Sequence, residues 1–144
     1  MGFIVPLTGM RTRVKICGIT RPEDGRAAAR AGADAIGLVF YAKSPRYVAL
    51  QQAQAICRAL PPFVSVVALF VNARREQVTE VLNAIPVDLL QFHGNEQAEQ
   101  CVSFGRPYIK AIGMREGSDP LSTMEVHPEA CGFLLDAWQP ETHG

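Results

Sequence analysis

The sequence lacks the features that mark nucleic-acid-binding, membrane and secreted proteins. Its 14 basic and 14 acidic residues cancel to a formal net charge of zero, so no net field attracts nucleic acid or an anionic membrane surface. No apolar run is long enough to span a bilayer. The apolar start of the chain is interrupted by Pro6 and has no basic region, unlike a signal peptide. We therefore expect no nucleic-acid partner, no membrane partner and a cytoplasmic location.

The cysteines also lack the spacing of metal ligands or redox pairs. Cys17, Cys57, Cys101 and Cys131 are widely separated, and no CxxC pair occurs. Because nothing indicates secretion, we expect reduced thiols rather than disulfides. No second histidine or acidic pair lies at ligand spacing from His93, so no metal site is predicted.

The apolar pattern that is present predicts an α/β domain. Hydrophobic residues make up 48% of the 144 residues, enough for one packed core. Short, nearly continuous apolar runs are typical of parallel strands covered on both faces. These runs predict six strands, at residues 13–19, 35–40, 65–71, 88–93, 108–113 and 132–138. Between them the pattern predicts five helices, near residues 21–32, 48–60, 73–85, 95–104 and 119–129.

Two architectures fit six strands that alternate with five helices. A doubly wound open sheet would be complete at this length, whereas a TIM barrel would not. The apolar pattern alone slightly favours the open sheet. The polar residues at the strand ends change that interpretation in favour of a barrel.

Candidate caps mark the helix ends. Thr20 with Glu23 has the form of a capping box before the first helix. Asn72, Asn95 and Asp119 are candidate N-caps for the third, fourth and fifth helices. Gly32 and Gly105 fit helix C-termini, where a left-handed residue is favoured.

Three chemically capable side chains lie at predicted strand ends. Cys17 ends the first strand, His93 the fourth, and Asp136 follows an apolar run in the sixth. Ligands bind at the carboxyl ends of strands in both architectures. A thiol and a carboxylate placed there can serve as general base and general acid. The alternatives are a small buried hydrophobe for Cys17, a structural hydrogen bond for His93 and a turn residue for Asp136.

The loop after the second strand, at residues 41–47, contains one further candidate. Arg46 follows Pro45 in this polar and aromatic segment. A guanidinium group can bind a substrate carboxylate through two parallel hydrogen bonds. The alternative is an arginine that is simply solvated.

Four segments together resemble one enzyme family. Lys15–Thr20 reads KICGIT, residues 37–40 read GLVF and lead to SPR at 44–46, residues 90–94 read LQFHG, and residues 135–137 read LDA. Their order and spacing resemble those of phosphoribosylanthranilate isomerases, from about Arg11 to the last residue. The resemblance implies an incomplete TIM (β/α)8 barrel of about six parallel strands and five helices over residues 11–144. Residues 1–10 are expected to form a disordered N-terminal extension, and the family's phosphate-binding loops would follow the last residue.

The resemblance also implies an activity and roles for individual residues. The family catalyses the Amadori rearrangement of N-(5′-phosphoribosyl)anthranilate in tryptophan biosynthesis, so a phosphorylated small molecule is the expected substrate and no cofactor is expected. Cys17 would be the general base, which Lys15 and the first helix would favour as a thiolate. Asp136 would be the general acid and must be protonated when it acts. Arg46 would hold the anthranilate carboxylate, and His93 would line the substrate pocket.

Other interpretations remain open at this stage. Without the phosphate-binding loops we expect weak or no activity from the chain alone, and a non-catalytic barrel fragment that acts as an assembly piece is the main alternative. A six-stranded piece leaves two sheet edges that favour self-association or completion by a partner segment. A redox role for Cys17 ranks last, because no resolving cysteine lies nearby in the sequence.

Overall fold

The computed structural model describes residues 11–137, which form one parallel sheet with helices between its strands. The strands are β1 (Lys15–Cys17), β2 (Ala35–Val39), β3 (Ser65–Phe70), β4 (Leu89–Phe92), β5 (Tyr108–Met114) and β6 (Gly132–Ala137). The helices are α1 (Pro22–Arg30), α2 (Leu50–Ala59), α3 (Arg75–Ala84), α4 (Ala98–Val102) and α5 (Pro120–Glu125). All six predicted strands and five predicted helices are confirmed. The prediction for residues 1–10, and the part of the domain beyond residue 137, lie outside the described residues.

The order of the strands distinguishes the two candidate architectures. The six strands lie in the order β1-β2-β3-β4-β5-β6, and every neighbouring pair is parallel. A doubly wound sheet would reverse its order at a switch point, whereas a barrel adds each strand beside the one before it. The observed order therefore confirms the partial (β/α) barrel.

Residues on alternate positions of the strands face opposite sides of the sheet. The outer face packs against the helices and forms the hydrophobic core, in which Ile36, Leu38, Phe70, Leu90 and Phe92 are almost fully buried. Burying each such side chain contributes about 1.5–3 kcal/mol. The outer face therefore stabilises the fold.

The opposite face, called the inner face below, contains the other strand residues. The register aligns Cys17 with Gly37 and Leu69 with Gln91 across this face. At the carboxyl edge of the sheet, Asp136 lies beside Gly113. Polar side chains on the inner face therefore collect at the edge where ligands bind in such folds.

The two outer strands of the described sheet expose apolar side chains. Val14 and Ile16 at β1 are 42% and 41% exposed, and Leu135 on β6 is 57% exposed. In contrast, β2, β3, β4 and β5 lie between these two end strands, and helices cover their side chains on the outer face. None of the helices within residues 11–137 is long and apolar enough to cross a membrane.

Three of the four predicted helix N-caps are wrong. The N-caps of α1, α3 and α4 are Arg21, Arg74 and Gln97, and none of these side chains makes a capping hydrogen bond. Thr20 thus lies one residue before the true cap of α1. Asp119 is confirmed as the N-cap of α5, since its Oδ1 accepts a hydrogen bond from the amide of Leu121 at 3.1 Å.

Asn72 and Asn95 instead belong to the loops that precede their helices. Asn72 has a left-handed backbone (φ 49°), and its Oδ1 accepts a hydrogen bond from the amide of Asn95 at 2.7 Å. The two residues therefore join the β3–α3 and β4–α4 loops. The predicted left-handed C-termini are confirmed at Gly32 (φ 91°) and Gly105 (φ 62°).

Candidate active site

Cys17 lies at the carboxyl end of β1, on the inner face and half-buried. Its neighbour across the sheet is Gly37. A Cβ on Gly37 would lie 2.8 Å from the Cys17 sulfur and 3.1 Å from its Cα, which is too close for a real side chain. The thiol therefore occupies space that only a glycine leaves open.

Arg46 lies beside Cys17, as a shared binding site would require. Its Nη1 donates a hydrogen bond to the Cys17 carbonyl oxygen at 3.2 Å. Its side chain also covers Gly18, where any Cβ would overlap it and where the backbone is left-handed (φ 85°). The Ser44 hydroxyl accepts a hydrogen bond from the Arg46 amide at 3.1 Å and so fixes the turn that presents the exposed guanidinium.

His93 and Asp136 form a second pair at the same edge. His93 directly follows β4, Asp136 is on β6, and His93 Nε2 lies 3.0 Å from Asp136 Oδ2. The imidazole is mostly buried, with 15% of its side chain exposed, whereas 46% of the Asp136 side chain is exposed. The carboxylate is thus held from the protein side and open to solvent on the other.

A hydrogen-bonded chain links this pair to β1 across the inner face. Gln91 Nε2 lies 3.2 Å from His93 Nδ1, and Lys15 Nζ donates to Gln91 Oε1. The Lys15 ammonium is therefore bound to Gln91, which is a different neighbour from the Cys17 thiol that the sequence suggested for it.

A buried ion pair holds the loop between β4 and α4. Glu96 accepts hydrogen bonds from the amides of Asn72 and Gly94 at 2.7 Å and 2.9 Å. Lys110 Nζ lies 3.2 Å from Glu96 Oε2, and both side chains are almost completely buried. Removing one partner of such a pair costs about 3–5 kcal/mol, so this loop, and with it His93, is held firmly.

A cleft of about 800 Å³ opens at this edge of the sheet. His93 and Asp136 line it, whereas Cys17 and Arg46 are not among its lining residues. The structure therefore places the four predicted site residues at one edge of the sheet as two pairs, and Gln91 and Lys15 link the His93–Asp136 pair to β1, the strand that carries Cys17. Within residues 11–137, no group of three or more histidine, cysteine or acidic residues is arranged to bind a metal ion.

His127 also lines the cleft. Burial, and after it the charge of Lys110, lowers the pKa of His127 below its ordinary value of 6.5, so its imidazole is neutral near pH 7. Its Nδ1 shares a hydrogen bond of 3.2 Å with the Tyr108 hydroxyl. His127 is therefore a neutral polar part of the wall.

Sequence reasoning did not identify Gln91, Glu96 or Lys110 as parts of the site. Gln91 could have been found from its spacing, because it lies two residues before His93 on the same face of β4. A buried glutamate or lysine needs a charged partner, but nothing local in the sequence pairs Glu96 with Lys110.

Comparison with known proteins adds independent information. A family model described as N-(5'phosphoribosyl)anthranilate (PRA) isomerase matches residues 14–143. A relative from Pseudomonas paraeruginosa, named N-(5'-phosphoribosyl)anthranilate isomerase, is 60% identical over 126 residues. That match covers 88% of this chain and 60% of the relative. The chain thus spans about 60% of the length of the curated relatives it matches first.

Solved structures give the same result. The crystal structure of phosphoribosyl anthranilate isomerase from Thermotoga maritima is 38% identical with a TM-score of 0.80, and the match covers 92% of this chain and 64% of that one. A phosphoribosyl anthranilate isomerase in complex with reduced 1-(o-carboxyphenylamino)-1-deoxyribulose 5-phosphate is 37% identical, with a TM-score of 0.81. This match covers 90% of this chain and 66% of that one. Taken with the family match over residues 14–143, these likenesses establish that the chain belongs to the N-(5'-phosphoribosyl)anthranilate isomerase family.

Proposed function

We propose that this chain contributes the general acid and the general base of an N-(5′-phosphoribosyl)anthranilate isomerase. The reaction is the Amadori rearrangement to 1-(2-carboxyphenylamino)-1-deoxyribulose 5-phosphate, a step of tryptophan biosynthesis. The observation that best supports the proposal is the position of Cys17 and Asp136, which both lie on the inner face at the carboxyl ends of their strands. Active sites of barrel enzymes are built at this edge.

Asp136 acts first, as the general acid. It donates a proton to the ring oxygen of the ribose while the bond from that oxygen to C1′ breaks. The lone pair of the anthranilate nitrogen forms the C1′=N bond and gives a protonated Schiff base. His93 occupies Oδ2 of the carboxyl group, so Oδ1 is the oxygen that carries this proton.

Cys17 acts second, as the general base. Its thiolate takes the proton from C2′, and the electrons of that C–H bond form a C1′=C2′ double bond as the nitrogen becomes neutral. The enolamine then becomes the ketone as C1′ takes a proton from the Cys17 thiol and the C2′ hydroxyl gives its proton to the Asp136 carboxylate, which returns both side chains to their starting forms. Every proton and electron pair is accounted for between these two side chains and the substrate, so the chemistry requires no cofactor.

Arg46 and His93 complete the site in this proposal. The Arg46 guanidinium lies against Gly18 next to Cys17, where it would hold the anthranilate carboxylate close to the base. His93 lines the cleft beside Asp136 and orients the acid. The small-molecule substrate would lie across the edge between these two pairs.

The test is turnover of N-(5′-phosphoribosyl)anthranilate, followed by loss of its anthranilate-type fluorescence. We would compare the 144-residue chain with a chimaera in which the remaining part of the Pseudomonas paraeruginosa relative follows it. We expect turnover by the chimaera and weak or no turnover by the chain alone, because the resemblance places phosphate binding beyond these residues. A folded chimaera without activity would contradict the proposed function.

Two substitutions in the chimaera test the assigned roles. Cys17→Ala and Asp136→Asn should each lower kcat by at least about 10²-fold while circular dichroism stays unchanged. The matched controls are Cys131→Ala and Asp24→Asn, which change an exposed thiol and an exposed carboxylate away from the cleft. If either active-site variant keeps a rate near that of the unmodified protein, that residue is not the acid or base.

The sheet edges lead to a second part of the proposal. Val14 just before β1, Ile16 on β1 and Leu135 on β6 expose apolar surface. Within the described sheet β1 and β6 each have a partner strand on one side only, and such unpaired edges favour association. We propose that a second copy or further polypeptide covers these edges in the working protein. We also propose that the protein works in the cytoplasm, where the Cys17 thiol stays reduced. Sedimentation of the 144-residue chain and of the chimaera tests the first point: a monodisperse monomer of the chain at high concentration would contradict it.

A further inference from the structure

Four polar side chains form one hydrogen-bonded chain across the inner face. It begins at Lys15 on β1, passes through both ends of the Gln91 amide on β4, continues through both ring nitrogens of His93, and ends at Asp136 on β6. Gln91 is only 1% exposed, so water does not compete for its amide. Neither Lys15 nor Gln91 lines the cleft.

The chemistry of the groups fixes the direction of every hydrogen bond in this chain. An ammonium group has only donors, so the Gln91 oxygen must face Lys15. The Gln91 NH₂ group must then face His93, and because NH₂ is only a donor, His93 Nδ1 must be the unprotonated nitrogen. His93 therefore carries its hydrogen on Nε2 and donates it to Asp136 Oδ2.

This direction also determines where an added proton can go. A proton on His93 Nδ1 would point at the Gln91 NH₂ group, so that two donors would face each other in a buried position. A proton on Asp136 Oδ1 disturbs none of the hydrogen bonds. Of these two positions, only Asp136 Oδ1 can take a proton without two donors facing each other, and a protonated carboxyl group is the form that a general acid requires.

We propose that Lys15 and Gln91 are positioning residues that hold His93 as the Nε2–H tautomer and thereby keep the proton of the pair on Asp136. The catalytic consequence rests on the proposed function, but the tautomer does not. Lys15, the first residue of β1, thus has a task of its own, although within residues 11–137 it neither lines the cleft nor makes a hydrogen bond to the Cys17 thiol.

The direct test is the nitrogen NMR spectrum of the histidine rings in the 144-residue chain labelled with ¹⁵N. We expect His93 Nδ1 to resonate where unprotonated imidazole nitrogens do, and Nε2 where protonated ones do. Assignment is straightforward because the chain has only three histidines, and His93→Gln identifies the signals. A wild-type His93 with a protonated Nδ1 would overturn the proposal.

Gln91→Glu supplies a sharper arm of the test. A carboxylate can accept from Lys15 and also from a protonated Nδ1, so His93 should become doubly protonated and its Nδ1 signal should move to the protonated range. In the chimaera, kcat should fall by about 10²-fold with little change in KM, because the proton now resides on His93 rather than on the acid. The control is Gln51→Glu, which adds the same charge on the exposed surface of α2.

Lys15→Met is a second variant that tests the same tautomer assignment if Gln91→Glu does not fold. Without the ammonium group the Gln91 amide can rotate, so His93 should show a mixture of tautomers. Unchanged His93 signals in a folded variant of either kind would overturn the proposal. Expected signals together with an inactive folded chimaera would instead overturn the proposed function and leave the tautomer assignment intact, so the two failures are distinguishable.

Discussion

Gly37 leaves the space into which the Cys17 thiol fits. Because a Cβ there would meet the Cys17 backbone as well as its sulfur, Gly37→Ala should force β1 and β2 apart. We expect the free energy of unfolding to fall by about 1–3 kcal/mol, as for other overpacked sites, and turnover of the chimaera to fall with it. Urea denaturation measures the first effect. An unchanged unfolding midpoint would mean that β1 moves freely away from β2.

The four thiols should differ strongly in reactivity, although all are free. Burial raises the pKa of Cys57 and of Cys101 to about 11, so only about one in a thousand of these groups is a thiolate at pH 8. Iodoacetamide should therefore label the exposed Cys131 well before Cys57 and Cys101, as peptide mass spectrometry would reveal. In urea the four should react alike. Equal labelling of the folded chain would contradict the packing of Cys57 on α2 against the hydrophobic core and of Cys101 on α4 within it.

The residues of the candidate site were predictable where their role depends on position along a strand. Cys17, His93 and Asp136 could be located because each lies at the carboxyl end of a predicted strand, and strand ends are where ligands bind. The position of Gln91 beside His93 was predictable from its spacing, but its role was not, since that role depends on Lys15, which lies 76 residues away in sequence. Partners so distant become neighbours only when β1 and β4 face each other across the sheet.

Helix α1 contains a glycine that its geometry does not require. Gly25 is buried, has no left-handed backbone, and a Cβ there would make ordinary contacts of 3.4 Å with Ile56 and Leu60. Gly25→Ala should therefore stabilise the chain by about 0.5–1 kcal/mol, because alanine loses less backbone entropy in a helix. The contrasting variant is Gly32→Ala, which must adopt a left-handed backbone (φ 91°) and should destabilise. Thermal denaturation of the two variants gives the comparison, and a loss of stability in Gly25→Ala would contradict the packing between α1 and α2.

At the scale of elements, the strands and helices were predictable but their first residues were not. The apolar runs are set by burial against the helices, which is a property of the sequence itself. The starts of α1, α3 and α4 depend on loops whose polar side chains bind other loops, as Asn72 binds the amide of Asn95. Asp119 was predictable because Pro120 follows it and fixes the first helical position.

Asp34 joins the segment before β1 to the start of β2 and so affects the whole sheet. It binds Arg11 through two hydrogen bonds, contacts Arg13 at 3.2 Å and accepts from the Val14 amide at 2.8 Å. Hydrogen bonding to Arg11 is the largest cause that lowers the pKa of Asp34, from 3.8 to about 2. The stabilisation by this carboxylate is therefore fully present above the unfolded value and is lost as the pH falls toward 2.

Asp34→Asn tests this sign. The variant should melt a few degrees below the unmodified chain at pH 7, and the difference should shrink as the pH is lowered from about 4 to about 2. Asp24→Asn is the control, because its partner Arg21 lies on the same exposed turn and such pairs contribute little. A difference in melting temperature that stays constant down to pH 2 would mean that the ionised carboxylate is not the stabilising group.

At the scale of the whole molecule, the choice between barrel and open sheet could not be made from hydrophobic pattern. Both architectures bury their strands on two faces and alternate strands with helices. The strand order distinguishes them, and pattern contains no information on order. The residues at the strand ends led to the barrel through the family that their motifs resemble, since ligands bind at the carboxyl ends of strands in both architectures.

The consecutive strand order has a consequence for how the protein is made. Each strand pairs with the one that precedes it in sequence, so a chain that emerges from the ribosome finds the partner of every new strand already synthesised. Successive strand–helix units can dock one after another during translation, and no early strand has to wait for a distant one. The contacts from Lys15 to Gln91 and from His93 to Asp136 are exceptions, because they form only once the fourth and the sixth strands have been added. The candidate site is therefore completed later than the strand pairs that support it.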